Sequence, residues 1–327
     1  MRIQLRSAAG DVNGDGYDDL IIGAKDADPN GSSASGSSYV VFGKASGFTS
    51  TINLSSLDGT TGFRLDGAAA GERSGHSVSA AGDVNGDGFD DLIIGAWAAG
   101  PNGNSSAGSS YVVFGGDFSG AVTHLGTSGA DTMTGASTAE TFVGGQGADT
   151  ITGGGGADVI TGGSGADIFR YTSSADGALA NYVTGFDRIM DFNSGVDTFG
   201  IAGALATAID DNSNSLLSWT TATGLASVTA DFSSGGTTEA LMLTSANNLN
   251  VSDLTTSGWA NILTAINNNT ITSASNADGL IAVHGGNDTA VFSYHEDGAT
   301  TTSVSASELS LLAVTSDIST GDFGIVV

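Results

Sequence analysis

The chain has 327 residues, of which 51 are glycine, only 8 are lysine or arginine, and none is cysteine. Its 35 acidic residues give a formal net charge of −27. This charge excludes nucleic-acid binding by phosphate neutralisation and electrostatic attachment to an anionic membrane. The apolar runs are too short for a membrane-spanning helix, and the lack of cysteine excludes disulfides and thiolate zinc sites. The excess carboxylates indicate a bound divalent cation.

The N-terminal part of the sequence contains a long repeat. Residues 7–43 and 79–115 are identical at 30 of 37 positions, with a spacing of 72. Each copy begins with D-x-N-x-D-G-x-x-D. Oxygens at positions 1, 3 and 5 and the carbonyl at position 7 of such a loop converge on calcium, and the Asp at position 9 closes the loop. The predicted ligands are Asp11, Asn13, Asp15, Tyr17 and Asp19, and then Asp83, Asn85, Asp87, Phe89 and Asp91.

Each loop is followed by LIIGA and then by SYVVFG, which predicts β-strands rather than the helices of an EF-hand. This order resembles the FG-GAP repeat, the blade unit of integrin α-subunit β-propellers and of many bacterial surface proteins. The resemblance implies two propeller-type blades over residues 1–120. The first is expected to be incomplete at its start, because the segment before Asp11 is short. Propellers usually have about four to eight blades, so we expect either the tail of a longer propeller or a chain that oligomerises to complete one.

Five nonapeptides without a gap fill residues 126–170, each with an acid at its sixth position and a large apolar residue at its eighth. Glycine allows tight turns that expose carbonyl groups, and aspartate adds a hard oxygen that suits Ca²⁺. Repeat n should stack on repeat n+2, which pairs Asp131 with Asp149, Glu140 with Asp158, and Asp149 with Asp167. The Glu140 site is expected to be weak, because its repeat keeps only one glycine. The predicted ligands are Asp131, Gly144, Gly145, Gly147, Asp149, Gly153, Gly154, Gly156, Asp158, Gly162, Gly163, Gly165 and Asp167.

This run resembles the RTX family, the nonapeptide-repeat proteins that Gram-negative bacteria secrete. The resemblance implies a parallel calcium β-roll over residues 121–170. Residues 187–197 read D-x-I-x-D-F-x-x-G-x-D, which is similar to the strand after the β-roll of secreted RTX proteases. By that similarity Asp187, Asp191 and Asp197 cap the roll and help to close its last calcium site. An ordinary surface turn is the alternative.

Residues 171–327 are rich in serine, threonine, alanine and asparagine, and we predict a β-rich C-terminal secretion domain with short helices at about 201–210 and 257–267. The segment from Glu308 to Val327 resembles the C-terminal signal of type I secretion, with an ordinary terminal strand as the alternative. These resemblances imply an all-β, extracellular protein, secreted or associated with the cell surface. Its expected partners are several Ca²⁺ ions and the type I secretion apparatus.

No HExxH, G-x-S-x-G or phosphate-loop motif is present, so we predict that the protein is not an enzyme. Three hypotheses remain open. The first is a calcium-stabilised binding or adhesion protein, with a surface glycan or protein as ligand. The second is the C-terminal export and folding module of a larger secreted enzyme or toxin. The third is a hydrolase within residues 171–327.

Overall fold

The computed structural model describes two compact units, Met1–Thr123 and His124–Val327. Its described residues are 5–44, 46–48, 50–104, 106–176, 186–209, 219–223, 229–231, 240–244, 266, 270–272, 278–285, 288–295, 309–316 and 323–325. Strands dominate both units, which confirms the predicted all-β class.

The first blade is a four-stranded antiparallel sheet in the order β1-β2-β3-β4. Its strands are β1 Leu5–Gly10, β2 Asp19–Ala24, β3 Ser37–Val41 and β4 Gly62–Asp66. The prediction of an incomplete start was wrong, because the six residues of β1 are enough to pair with β2 from Leu5 to Gly10. One long repeat with its linking segment therefore makes a whole blade.

The second blade has three antiparallel strands among the described residues: β5 Ser77–Gly82, β6 Asp91–Ala96 and β7 Ser109–Val113. Short 3₁₀ turns lie at Pro29–Gly31, Leu54–Ser56 and Pro101–Gly103. The two blades share one apolar cluster, formed by Ala9, Val12, Ile21, Val40, Phe42, Val78, Leu92 and Ile94. Burial of these side chains is the main favourable term that holds the blades together.

The nonapeptides and the strands on either side of them form two parallel ladders of short strands, β8-β10-β12-β14 and β9-β11-β13-β15. The strands are β8 His124–Leu125, β9 Thr132–Thr134, β10 Thr141–Val143, β11 Thr150–Thr152, β12 Val159–Thr161, β13 Ile168–Tyr171, β14 Asp187–Ile189 and β15 Thr198–Ile201. Repeat n pairs with repeat n+2, as the sequence predicts. The eighth-position side chains point inward, and Phe142, Ile151, Ile160 and Phe169 are at most 1% exposed.

Most C-terminal strands belong to the same two sheets as the roll, and two short ones form a separate pair. A helix, α1 Gly203–Ile209, lies in the predicted 201–210 segment, whereas the predicted helix at 257–267 lies outside the described residues except for Ile266. The remaining strands are β16 Trp219–Thr223, β17 Thr229–Asp231, β18 Ala240–Thr244, β19 Thr270–Thr272, β20 Asp278–Gly285, β21 Asp288–His295, β22 Leu309–Ser316 and β23 Phe323–Ile325. Strand β22 pairs in parallel with β14, and β23 pairs in parallel with β15. Strands from both sides of residue 170 therefore share these sheets.

Replacing Gly163 by alanine is expected to destabilise the roll much more than replacing Gly195. Both glycines have positive φ, at 90° and 82°, but a Cβ at Gly163 would collide with the carbonyl of Gly145, while Gly195 has nothing within 4 Å. Positive φ alone costs alanine about 1–2 kcal/mol. We expect roughly that loss at Gly195 and more than about 3 kcal/mol at Gly163. Urea unfolding at saturating calcium measures both, and equal losses would contradict the close stacking of the coils.

Candidate metal centres

The first long-repeat loop turns its acidic side chains inward. The Asp11 carboxylate accepts the N–H of Asp15 at 3.0 Å and that of Gly16 at 2.8 Å, and Asp15 accepts the N–H of Tyr17 at 3.0 Å. The second loop repeats these contacts 72 positions later. Positions 1 and 5 of the predicted ligand set therefore lie on the concave side of each loop.

Asp19 and Asp91, at position 9 of the two loops, are buried anchors. Asp19 accepts the N–H of Val12 at 2.9 Å and that of Gly43 at 2.8 Å, and Asp91 makes the equivalent pair of bonds. Each carboxylate thus ties its loop to the end of the third strand of its blade. Burial raises the pKa of Asp19 to about 7 and that of Asp11 to about 6. A bound cation would favour their ionised forms.

The acids of the roll form a ladder that runs from coil to coil. The Asp149 carboxylate accepts the backbone N–H of Asp131 at 2.7 Å, and Asp167 accepts that of Asp149 at 2.9 Å. Asp158 accepts the N–H of Glu140 at 2.8 Å. The residues predicted to be neighbours do meet, but each contact joins a carboxylate to a backbone N–H and not two carboxylates.

Each inner acid of this ladder keeps one oxygen without a protein partner. The Oδ2 atoms of Asp149, Asp158 and Asp167 are buried and accept no hydrogen bond. A Cβ at Gly144 would lie 2.5 Å from the Asp149 Oδ2 and would also meet the carbonyl of Gly162. Carboxylate and carbonyl oxygens therefore share the space beside the first glycine of a repeat. A buried, unpaired carboxylate oxygen is costly, and this all-oxygen donor set fits calcium.

The ladder continues beyond the nonapeptides. Asp187 accepts the N–H of Asp158, and Asp197 accepts the N–H of Asp167, both at 3.0 Å. Both residues are buried, at 0% and 6% exposure. Asp191 accepts the N–H groups of Gly162 and Gly163 at 2.8 and 2.7 Å. Asp187 thus extends one ladder and Asp197 extends the other, while Asp191 contacts the start of the last nonapeptide; their role in a last calcium site stays a prediction.

Three further side chains contact the candidate sites and were not predicted from the sequence. Asp90, at position 8 of the second loop, accepts the N–H of Asp11 at 2.8 Å. The hydroxyl of the buried Tyr171 donates to Asp187 at 3.0 Å. Asp176 accepts the N–H of Thr172 at 2.6 Å, just as Asp131 accepts that of Thr127 at 2.7 Å. The pattern T-S-x-A-D, common to residues 127–131 and 172–176, was the available signal for Asp176, since it marks the start of another repeat.

Backbone oxygens are needed to complete every candidate site. Among the residues that the structure describes, no group of three or more His, Cys, Asp or Glu side chains could hold a metal ion by itself. This agrees with a roll whose repeats contribute one carboxylate and several glycine carbonyls each. The described part of the chain also contains no helix that is long and apolar enough to cross a membrane.

Comparison with known proteins identifies both kinds of repeat. The RTX calcium-binding nonapeptide repeat matches residues 134–169 in four copies, and the FG-GAP repeat matches residues 6–41 and 74–113. Integrin alpha pat-2 of Caenorhabditis briggsae is 35% identical over 98 residues, and integrin alpha pat-2 of Caenorhabditis elegans is 34% identical over 98 residues. This stretch is 29% of the chain but only 7% of either relative. The chain thus combines calcium-binding RTX repeats with integrin-like FG-GAP repeats.

Proposed function

We propose that this is a secreted bacterial protein that folds when it meets calcium outside the cell and then adheres to a surface ligand through its FG-GAP blades. The proposal of calcium-dependent folding rests on the buried Oδ2 atoms of Asp149, Asp158 and Asp167. Three such oxygens in one narrow roll are unfavourable at neutral pH unless a cation neutralises them.

Calcium binding at these sites is thermodynamically linked to folding of the chain. Calcium that binds only the folded state stabilises it by RT ln(1 + [L]/Kd) per site, and extracellular modules have Kd values of about 10⁻⁴–10⁻³ M. Free calcium inside a cell is far below this range. With a net charge of −27, the calcium-free chain repels itself and favours an unfolded state. An unfolded chain suits passage through a type I secretion apparatus, which we propose as its export partner.

The adhesion half rests on the blades. Their likeness to integrin α-subunits in nematodes covers 98 residues, and propeller-type blades present their connecting loops at one rim, where ligands bind on a rigid scaffold. We propose a glycan or a protein on another cell as the ligand. No enzymatic step is part of the proposal.

The second candidate, an export and folding module of a larger enzyme or toxin, is favoured by one feature. The roll and the C-terminal strands form a compact unit of their own, His124–Val327. Such a unit could serve any protein joined to its N-terminal side. Adhesion that survives in calcium but is lost in chelator would favour the first candidate, and export of an unrelated passenger fused to the full chain would favour the second.

A calcium titration of the full chain, followed by far-ultraviolet circular dichroism, tests the calcium half of the proposal. We expect a transition from coil to β-structure at roughly 0.1–1 mM calcium, reversed by EDTA. Magnesium at the same concentration is the control and should have a much smaller effect, because it requires a more rigid octahedral site. A β-signal that is unchanged in EDTA would refute the folding switch.

A further inference from the structure

The two blades have nearly the same sequence but very different burial on one face. In the first blade this covered face is almost fully inaccessible, and its side chains are Val12 0%, Ile21 0%, Val40 0% and Phe42 4% exposed. The same residue types recur 72 positions later in the second blade. There they form an open face, with Val84 56%, Ile93 40%, Val112 49% and Phe114 54% exposed. A cluster of four exposed apolar side chains is unusual on a monomer surface and indicates an interface.

The contact between the two blades shows which kind of surface such a face packs against. The first blade's covered face packs against the opposite side of the second blade, which contributes Val78, Leu92 and Ile94 to the shared cluster. The first blade has the equivalent side, which we call the receiving face, with Tyr17, Leu20 and Ile22 at the positions of Phe89, Leu92 and Ile94. Tyr17 is 37% exposed, whereas Phe89 is 4% exposed. The unit therefore carries both halves of its own internal interface in an uncovered form.

A polar contact also joins the two blades at this interface. The residues at the equivalent positions of the unit are uncovered. Asp11 donates its N–H to the Asp90 carboxylate at 2.8 Å, and Asp90 donates its N–H to the Asp11 carbonyl at 3.1 Å. The Asp90 side chain occupies the space where a Cβ of Gly10 would lie, while the matching Gly82 has nothing within 4 Å. Asp18, which corresponds to Asp90, is exposed on the first blade.

We propose that the open face of the second blade binds the receiving face of a second copy of this chain. The exposed Asp18 of that copy would accept the N–H of Asp83, as Asp90 accepts that of Asp11. The occupant is a second copy because one unit presents both surfaces, and Tyr17, Leu20 and Ile22 are similar or identical to the residues that already pack inside it, whereas Arg6 replaces Val78. The interface is head-to-tail, and a fixed rotation per blade closes it into a ring. A ring of about four to eight blades needs two to four copies.

Sedimentation velocity of the full chain in calcium tests this proposal. The wild type is expected to form a species of two to four copies that dissociates on dilution. Val112→Glu damages the open face, and Asp18→Arg damages the receiving face at a loop residue that is not itself a predicted calcium ligand, so each variant alone should be monomeric. An equimolar mixture of the two should give a one-to-one dimer, since each copy retains the half that the other lacks. Phe48→Glu, at a side chain that is 50% exposed elsewhere on this unit, is the matched control and should keep the wild-type mass.

Three outcomes would overturn the proposal. A wild type that stays monomeric at the highest concentration measured means that the open face does not bind a second copy. Loss of association in Val112→Glu but not in Asp18→Arg means that two open faces pair with each other. A mixture that stays monomeric excludes the head-to-tail arrangement. Circular dichroism checks the fold of each variant. Phe114→Glu and Asp18→Ala test the same two faces if either first choice unfolds.

Discussion

Replacing Asp149, Asp158 and Asp167 together by alanine is expected to remove most of the stability that calcium gives to the roll. Each residue supplies one buried oxygen that lacks a protein partner. At a free calcium concentration of one hundred times Kd, one site contributes about 2.7 kcal/mol, so three sites contribute about 8 kcal/mol. The Tm at saturating calcium should therefore fall by roughly 15–30 °C relative to the wild type. Differential scanning calorimetry of both proteins in calcium measures it.

The triple asparagine variant is the control for this experiment. Asparagine keeps an oxygen that can accept the N–H of the preceding coil, as Asp149 does for Asp131 at 2.7 Å, and its NH₂ group can donate to the nearby carbonyls. We expect this variant to fold without calcium at least as well as the wild type and to respond weakly to calcium. If the alanine variant responds to calcium like the wild type, the ladder does not hold the ion.

The folded fraction of the calcium-free protein is expected to rise as the pH falls from 7.5 to 5, which is the opposite of its behaviour in calcium. Burial raises the pKa of Asp158, Asp167 and Asp191 to about 6. A carboxyl whose pKa is higher in the folded state binds more protons there than in the unfolded state between about pH 4 and 6. Its contribution to stability is therefore present at low pH and is lost as the pH rises through 6.

Calcium reverses this trend because it binds the ionised carboxylates. Protonation below pH 6 removes its ligands, so the gain in folded fraction from calcium should be large at pH 7.5 and small at pH 5. Sodium chloride at 0.5 M is the control, because it screens the repulsion among surface charges but does not remove the cost of burying Asp158 and Asp167. A calcium-free protein with the same folded fraction at both pH values would show that burial of these ionised carboxylates does not destabilise the fold.

The repeats made much of the fold predictable. The unbroken nine-residue frame correctly predicted that repeat n pairs with repeat n+2, and the inward ladder that ends with Phe169 followed from the eighth position. Both signals are local, since each depends on residue types at fixed short spacings. The loops of the blades were likewise predictable from the spacing of the acidic residues that begins at Asp11 and at Asp83. The metal ligands themselves remain predictions, although the ladder and loop contacts bring the residues together.

The long-range contacts were not predictable from the same signals. Nothing near Ala313 or Phe323 in the sequence shows that they pair with Asp187 and Phe199. The different exposure of Val40 and Val112 was equally hidden, because the two residues have the same neighbours in sequence and differ only in what packs on them. The contact from Asp90 to Asp11 joins two blades, so a single loop motif could not reveal it.

The pairing of the last strands with the roll joins residues that are far apart in sequence, and this affects the kinetics of folding. Successive coils pair residues 18 positions apart, such as Ile151 and Phe169, but Asp187 pairs with Ala313 across 126 positions. Closing the longer loop costs about 1.7 kcal/mol more in chain entropy, and contacts of high sequence separation form slowly. During synthesis the strand edges of β14 and β15 stay unpaired until residues 309–325 have been made. An open edge of this kind invites pairing with other chains, so a chain held unfolded until it is complete avoids aggregation as well as premature folding.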